Sequence, residues 1–233
     1  MLRRFALVVS IVFCGSLALA VAAIAAGGGG LPPGDYTFTS TNASAFFGTL
    51  KGGPPGQMGF SVNVFQGLNS FAPEDGKGGP IVTNSTVVQF SVFSDTSSSG
   101  ACYILDKPSD FKVNRDLQTA SLHTTLSTLC PGFAAPLGKS LAPLAGGSAL
   151  PATIRVDVTW KGLGVTSVGR DRSTFQCLKY NIQSTNTVRS ANANASGTTD
   201  ALTGSFATPV ATVGSVDSHE DVSGVPDPNC FPF

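Results

Sequence analysis

Thr153-Ile154-Arg155-Val156-Asp157-Val158-Thr159-Trp160 is the stretch that decides the fold. Ile154, Val156, Val158 and Trp160 alternate with Arg155, Asp157, Thr159 and Lys161. Successive side chains of an extended chain point to opposite faces, so this segment buries one face and wets the other. β-branched residues and an aromatic suit that half-buried, pleated surface. Trp160 is the single Trp of the chain and the largest side chain offered to the core. The stretch therefore reads as a central strand of an antiparallel β-protein.

The same alternation recurs to either side. Tyr36 and Phe38 alternate with Thr37 and Thr39, and Ala45-Phe46-Phe47 follows, giving one or two opening strands. Phe60, Val62 and Val64 mark a strand over residues 59–65. Residues 87–93 set Val88, Phe90 and Val92 on one face and Val87 and Phe93 on the other, the pattern of a strand covered on both sides. Residues 102–105 and 111–113 are short strands. Residues 117–130 carry too many Thr for a helix, and Ala120, Leu122, Thr124 and Leu126 alternate as in a strand. Residues 175–182 read as a strand. So do residues 187–196, where Ala191, Ala193 and Ala195 alternate with Ser190, Asn192 and Asn194. Small side chains on both faces predict a place where another element approaches closely. Residues 204–222 read as a hairpin or two short strands. Loops are expected over 66–79, 162–169 and 131–151, the last with room for one helical turn over 139–144. The fold class that follows is all-β: one antiparallel sandwich of about ten strands, with a β-barrel as the alternative.

Composition agrees with short strands and many turns. Only 12% of the 233 residues are charged, against roughly a quarter in ordinary domains. Formal net charge is zero, and without Arg3 and Arg4 the balance is 12 basic against 14 acidic side chains, a net of −2. So weak a field excludes the basic stripe of a nucleic-acid binder and the polybasic face of an anionic-membrane binder.

Met1-Leu2-Arg3-Arg4 is a short cationic start, residues 5–26 carry no charge, and Ala23-Ile24-Ala25 is a small-x-small cleavage site. That order of parts is a secretory signal peptide. The organisation expected is a signal peptide at 1–25, a flexible leader at 26–34, a β-sandwich domain at 35–225 and a tail at 226–233. A membrane anchor over residues 5–26 is the alternative, because the apolar run is long enough to span. Cys14 leaves with the signal peptide. Cys102, Cys130, Cys177 and Cys230 remain, and an even number in an exported chain predicts two disulfides. Zinc is excluded by spacing, since no Cys-x-x-Cys or neighbouring His pair occurs. Spacing alone leaves all three pairings open.

Ala43-Ser44-Ala45-Phe46-Phe47, Thr159-Trp160-Lys161-Gly162-Leu163-Gly164, the downstream Arg170, and the small-residue run from Arg189 to Gly197 resemble a set of small secreted bacterial proteins without an assigned activity. The resemblance implies export and a β-rich fold. It also implies the pairing of Cys102 with Cys177, which match cysteines of that set. Cys130 and Cys230, extra to its pattern, are then left for each other.

Residues able to do chemistry are few. His123 sits beside Ser121 and Thr125 on the expected outer face of its strand, and His219 is the other histidine. No Gly-x-Ser-x-Gly elbow accompanies them. Asp217-Ser218-His219-Glu220-Asp221 offers three carboxylates, short of the six to eight oxygens calcium takes, and reads as a charged strand edge that discourages strand addition. Glu74 and Glu220 are the only glutamates, so paired-carboxylate glycoside hydrolysis would need Asp. Asp157 beside Arg155 reads as an ion pair, and Arg170-Asp171-Arg172 as a charged loop. Sequons at Asn42, Asn84 and Asn194 are the chance yield of a Ser/Thr/Asn-rich chain. No catalytic residue, metal ligand or cofactor is assigned. The expected function is a secreted, non-enzymatic extracellular protein, a binding module for an unidentified extracellular ligand or surface, with no nucleic-acid partner. Membrane association is expected only if the leader stays attached. A hydrolase of extracellular polysaccharide is the alternative.

Overall fold

The computed structural model describes residues 32–48, 58–76, 80–94, 98–130 and 152–224. Eleven strands run in order: β1 (Gly34–Phe47), β2 (Gly59–Pro73), β3 (Ile81–Phe93), β4 (Ser98–Ile104), β5 (Phe111–Val113), β6 (Thr119–Leu126), β7 (Thr128–Leu129), β8 (Ile154–Gly162), β9 (Ser167–Cys177), β10 (Tyr180–Thr199) and β11 (Leu202–Ser223). One 3-10 turn, Pro108–Asp110, precedes β5. All strands join one antiparallel sheet in the order β5-β6-β8-β10-β11-β1-β2-β3-β4-β7, with β9 beside the first half of β10. The expected all-β, antiparallel class is what the chain adopts. The order is open, so the sheet is not a closed barrel.

The Trp160 strand behaves as its alternation demands. Ile154, Val156, Val158 and Trp160 are buried at 0–1% exposure, while Arg155 and Thr159 stay exposed. β6 and the second half of β10 flank β8, which makes it a central strand. Trp160 Nε1 donates to the Ser44 carbonyl at 2.9 Å. Ser44 belongs to β1, separated from β8 in the sheet by β10 and β11, so the sheet curls back on itself between them. Ala191, Ala193, Ala195, Ala43, Ala45 and Ala211, all in the core, keep that bend slim enough for the indole to reach β1. The close approach expected at 191–195 thus occurs on the Ala face alone; Asn192, Asn194 and Ser196 face solvent. Phe47, Phe60 and Phe90 fill the opposite layer, with Phe47 stacked on Phe60 at 4.4 Å between ring centroids.

Several strands run further than alternation predicts. Residues 66–73, expected as loop, continue β2 and pair with both β1 and β3. Residues 204–222 lie in one 22-residue strand, β11. Residues 175–182 are not one strand but the β9–β10 hairpin, turning at Leu178 and Lys179, with Leu178 at φ 55°. Arg170-Asp171-Arg172 is part of β9 and not a loop. The run 217–221 lies in β11, paired on both sides by β1 and β10, so it is no strand edge. The physical reason is shared: beyond the curled half, neither sheet face is fully covered, and hydrophobic alternation fades while ladder pairing continues.

The disulfide pairing also differs. Cys102 bonds Cys130, with Cα atoms 5.4 Å apart. β7 pairs with β4 so that Leu129 faces Tyr103, and Cys130 N–H donates to the Cys102 carbonyl at 2.9 Å, which sets the two thiols together. The Cys102–Cys177 and Cys130–Cys230 pairing is therefore wrong, since Cys177 closes β9, a strand with no ladder to β4. Cys177 is itself disulfide-bonded. The expected leader and signal segment up to residue 31, the 131–151 loop with its helical turn, and the tail from 225 lie outside the described residues. Among the described residues no helix is long and apolar enough to cross a membrane.

Candidate ligand-binding recess

Where the curled half ends, β5 and β6 overhang the sheet and leave a recess of about 570 Å³. Its roof is the turn joining β5 to β6. Leu117 N–H donates to the Asn114 carbonyl and Asn114 N–H to the Thr119 carbonyl, both at 2.9 Å. This closure places Leu117 at φ 60°, a left-handed conformation that a Cβ-bearing residue adopts only when its surroundings enforce it. Four contacts do so. The Leu117 side chain is buried to 1% exposure. Gln118 N–H donates to Asp116 Oδ1 at 3.0 Å, and Gln118 Nε2 to the Gly164 carbonyl at 3.2 Å. Gly162 N–H donates to the Gln118 carbonyl at 2.8 Å. A Cβ on Gly162 would lie 2.7 Å from the Leu117 carbonyl oxygen, so only glycine lets the turn settle against β8. From the far side, Arg189 of β10 donates to the Arg115 carbonyl at 3.1 Å. The roof is fixed before any ligand arrives.

The floor follows from strand register. One row crosses six strands as Thr86, Gln66, Thr41, Ser215, Arg189 and Val168. The next row crosses the same strands as Asn84, Leu68, Thr39, Asp217, Thr187 and Arg170. These residues continue the face that carries Ala43, Ala45 and Phe47 into the core; Thr86 is still buried, and from β2 to β9 the face opens and becomes mostly polar. The recess is thus lined by Thr39, Thr41 and Ser215, Asn84 and Asn114, Arg115 and Arg189, and Asp217, around apolar Leu68, Val113 and Leu117. Gln66 is already committed: its Nε2 donates to Thr86 Oγ1 at 3.1 Å and to the Pro108 carbonyl at 3.0 Å. Among the described residues no ion pair engages Arg115, Arg189 or Asp217.

The residues singled out by sequence fall elsewhere. His123 Nδ1 and Arg155 Nε both meet the Asp157 carboxylate, each at 3.1 Å, on the outer face of β6 and β8. His123 and Arg155 are well exposed there, on a surface outside the recess. Arg155 thus pairs with Asp157 along its own strand, and His123 joins from the strand beside it. His219 pairs with Asp35 at 3.2 Å, on the same sheet face as the recess but two rows beyond Ser215. Asp217 alone of the 217–221 run reaches the recess, and Arg170 and Arg172 lie on that face at the β9 edge. Among the described residues no three His, Cys, Asp or Glu side chains gather as metal ligands. Arg189 entered the sequence reading only as the start of the small-residue run 189–197, and Asn114 was not singled out. The signal that could find Arg189 is its parity: it lies in phase with Ala191, Ala193 and Ala195 on a strand whose core face should be apolar.

No family model matches the chain, and no curated protein does. Among solved structures, "Enduracididine biosynthesis enzyme MppR complexed with pyruvate" aligns over 84% of this chain and 91% of its own, at 11% identity and a TM-score of 0.25. The same enzyme "complexed with the condensation product of pyruvate and imidazole 4-carboxaldehyde" aligns at 11% identity and a TM-score of 0.24. Likeness at that level supports neither a common fold nor a common site.

Proposed function

We propose that this protein is an exported, non-enzymatic binding protein that holds a polar ligand in the recess beneath the β5–β6 turn. The observation that carries the reading is the recess lining: guanidinium groups and a carboxylate that no protein ion pair occupies, set among hydroxyls on a rigid floor and under a fixed roof. Preorganised donors and acceptors around a small apolar patch are the make-up of a binding site, because ligand groups replace water without the protein having to reorder. Hydrolysis of a glycosidic bond needs two carboxyl groups flanking the bond. Asp217 is the one acid among the described lining residues, which favours binding over turnover. Export rests on the cationic start, the uncharged run and the Ala-x-Ala site, and the Cys102–Cys130 disulfide suits an oxidising compartment.

Filling the recess tests the reading. Ser215 is partly exposed at the centre of the floor, so Ser215→Phe occupies the space while leaving the core untouched. A panel of sugars, amino acids and small organic acids, screened by calorimetry, is expected to yield a ligand that the wild type binds and Ser215→Phe does not. A ligand bound equally by both proteins would refute the site.

A further inference from the structure

We infer that the ligand is an acidic polysaccharide, seated in the recess and running out over the sheet toward β9. The inference rests on the recess being a binding site and adds the class of molecule it takes. Its basis is what lies beyond the recess on the same face. Arg170 stands in the row of Asp217 and Thr187, and Arg172 in the next row, opposite Thr185. Both arginines are exposed, and no described ion pair engages them. Arg172 faces a residue four positions from Arg189 along β10, so the cationic track from Arg189 runs about 14 Å at roughly 3.4 Å per residue. That length exceeds a single sugar ring and calls for a chain with repeated negative charge.

Hydroxyls lie beside these arginines, as Thr185 and Thr187 on β10, and Thr37 and Thr39 of β1 continue the same rows beyond β11. Guanidinium groups take carboxylates in paired hydrogen bonds, while Thr hydroxyls both donate to and accept from sugar hydroxyls. An acidic peptide fits less well. Peptides gain affinity by adding to an exposed sheet edge; the floor strands β1, β11 and this half of β10 are each paired on both sides, and the one-sided strand β9 supplies no residue to the recess lining. Their backbone groups are spent in the ladder, and the floor offers side chains only. Nucleic acid is disfavoured because no aromatic side chain is among the described lining residues for bases to stack on.

The test titrates the mature protein with galacturonate oligomers and alginate oligomers, with methyl-esterified galacturonate oligomers as the uncharged match, and with polyglutamate. Binding of at least one acidic saccharide is expected, weakened about tenfold by Arg170→Gln with Arg172→Gln and less dependent on salt in that variant. The Trp160 unfolding transition should be unchanged, because neither arginine holds structure. The esterified oligomer should bind at least about tenfold more weakly than its acid. Equal binding of polyglutamate would overturn the saccharide assignment. Equal binding of the ester, or no effect of the double variant, would overturn the acidic one. In both cases loss of binding in Ser215→Phe would leave the recess itself standing. Failure of both acidic saccharides would refute the inference, and the small-ligand panel on Ser215→Phe would then decide the recess separately.

Discussion

Replacing Trp160 by Ala should cost more than any other single core substitution in this chain. The side chain is fully buried and ties β8 to β1 through its N–H bond to the Ser44 carbonyl. Loss of burial plus the cavity left behind costs about 3–5 kcal/mol for Trp→Ala. The missing hydrogen bond adds about 1 kcal/mol, for a total of about 4–6 kcal/mol. Trp160→Phe keeps most of the ring volume and loses the donor, so about 1–3 kcal/mol is expected. At about 2–4 °C per kcal/mol for a domain of this size, the Ala variant should melt about 10–20 °C lower. The assay is guanidinium unfolding followed by far-UV circular dichroism, since the substitution removes the only Trp fluorophore. An Ala variant destabilised by less than about 1 kcal/mol would refute the reasoning. The curled halves would then have to be held by something other than the Trp160 contact.

Non-reducing peptide mapping should find Cys102 linked to Cys130. Removing that bond by Cys102→Ser with Cys130→Ser should cost about 2–4 kcal/mol, with Cys102–Cys177 as the contradicting product. If the proposed signal peptide is removed, Cys230 is the one cysteine left for Cys177, and the same map should show that bond. Leu117→Gly should cost about 1–2 kcal/mol less than Leu122→Gly, because glycine relieves the left-handed backbone at 117 but adds chain entropy in the regular strand at 122. Equal losses in chemical unfolding would contradict the strain. Tyr36 is pushed up to about 12, first by burial and then by Tyr180 and Glu220, while its hydroxyl donates to the Pro32 carbonyl at 2.7 Å. An acid whose pKa is raised on folding favours the folded state below its unfolded value, near 10, and that contribution is lost between about 10 and 12. Stability should therefore fall above pH 10 less steeply in Tyr36→Phe than in wild type. Asp157→Asn breaks two exposed contacts and should change stability by under about 1 kcal/mol.

The legible part of the fold was the part with one dry face and one wet face. Residues 154–160, 60–64 and 88–92 alternate cleanly because they line the curled half, where the core covers one side. Trp160 as a core residue follows from that pattern alone. The outer halves of β1, β2, β10 and β11 are strands for another reason, namely that each edge finds a partner, and pairing across the sheet leaves no mark in local periodicity. Residues 66–73 were hidden for that cause, as were the continuity of 204–222 as one strand and the place of the run 217–221 on a central strand. The Cys102–Cys130 bond depends on the two-residue strand β7, too short to register as a pattern. The recess was hidden most completely. It is assembled from β1, β2, β3, β10, β11 and a turn over 114–118, and only the register brings Thr39, Asp217 and Arg189 side by side.

Amide chemical-shift mapping of isotope-labelled protein during titration with an acidic oligosaccharide tests the binding recess most directly. The account predicts concentration-dependent shifts at Thr39, Thr41, Arg115, Arg189, Ser215 and Asp217, continuing along β9 to Arg170 and Arg172. Saturable shifts confined to the outer face of β6 and β8, around His123, Arg155 and Asp157, would contradict it.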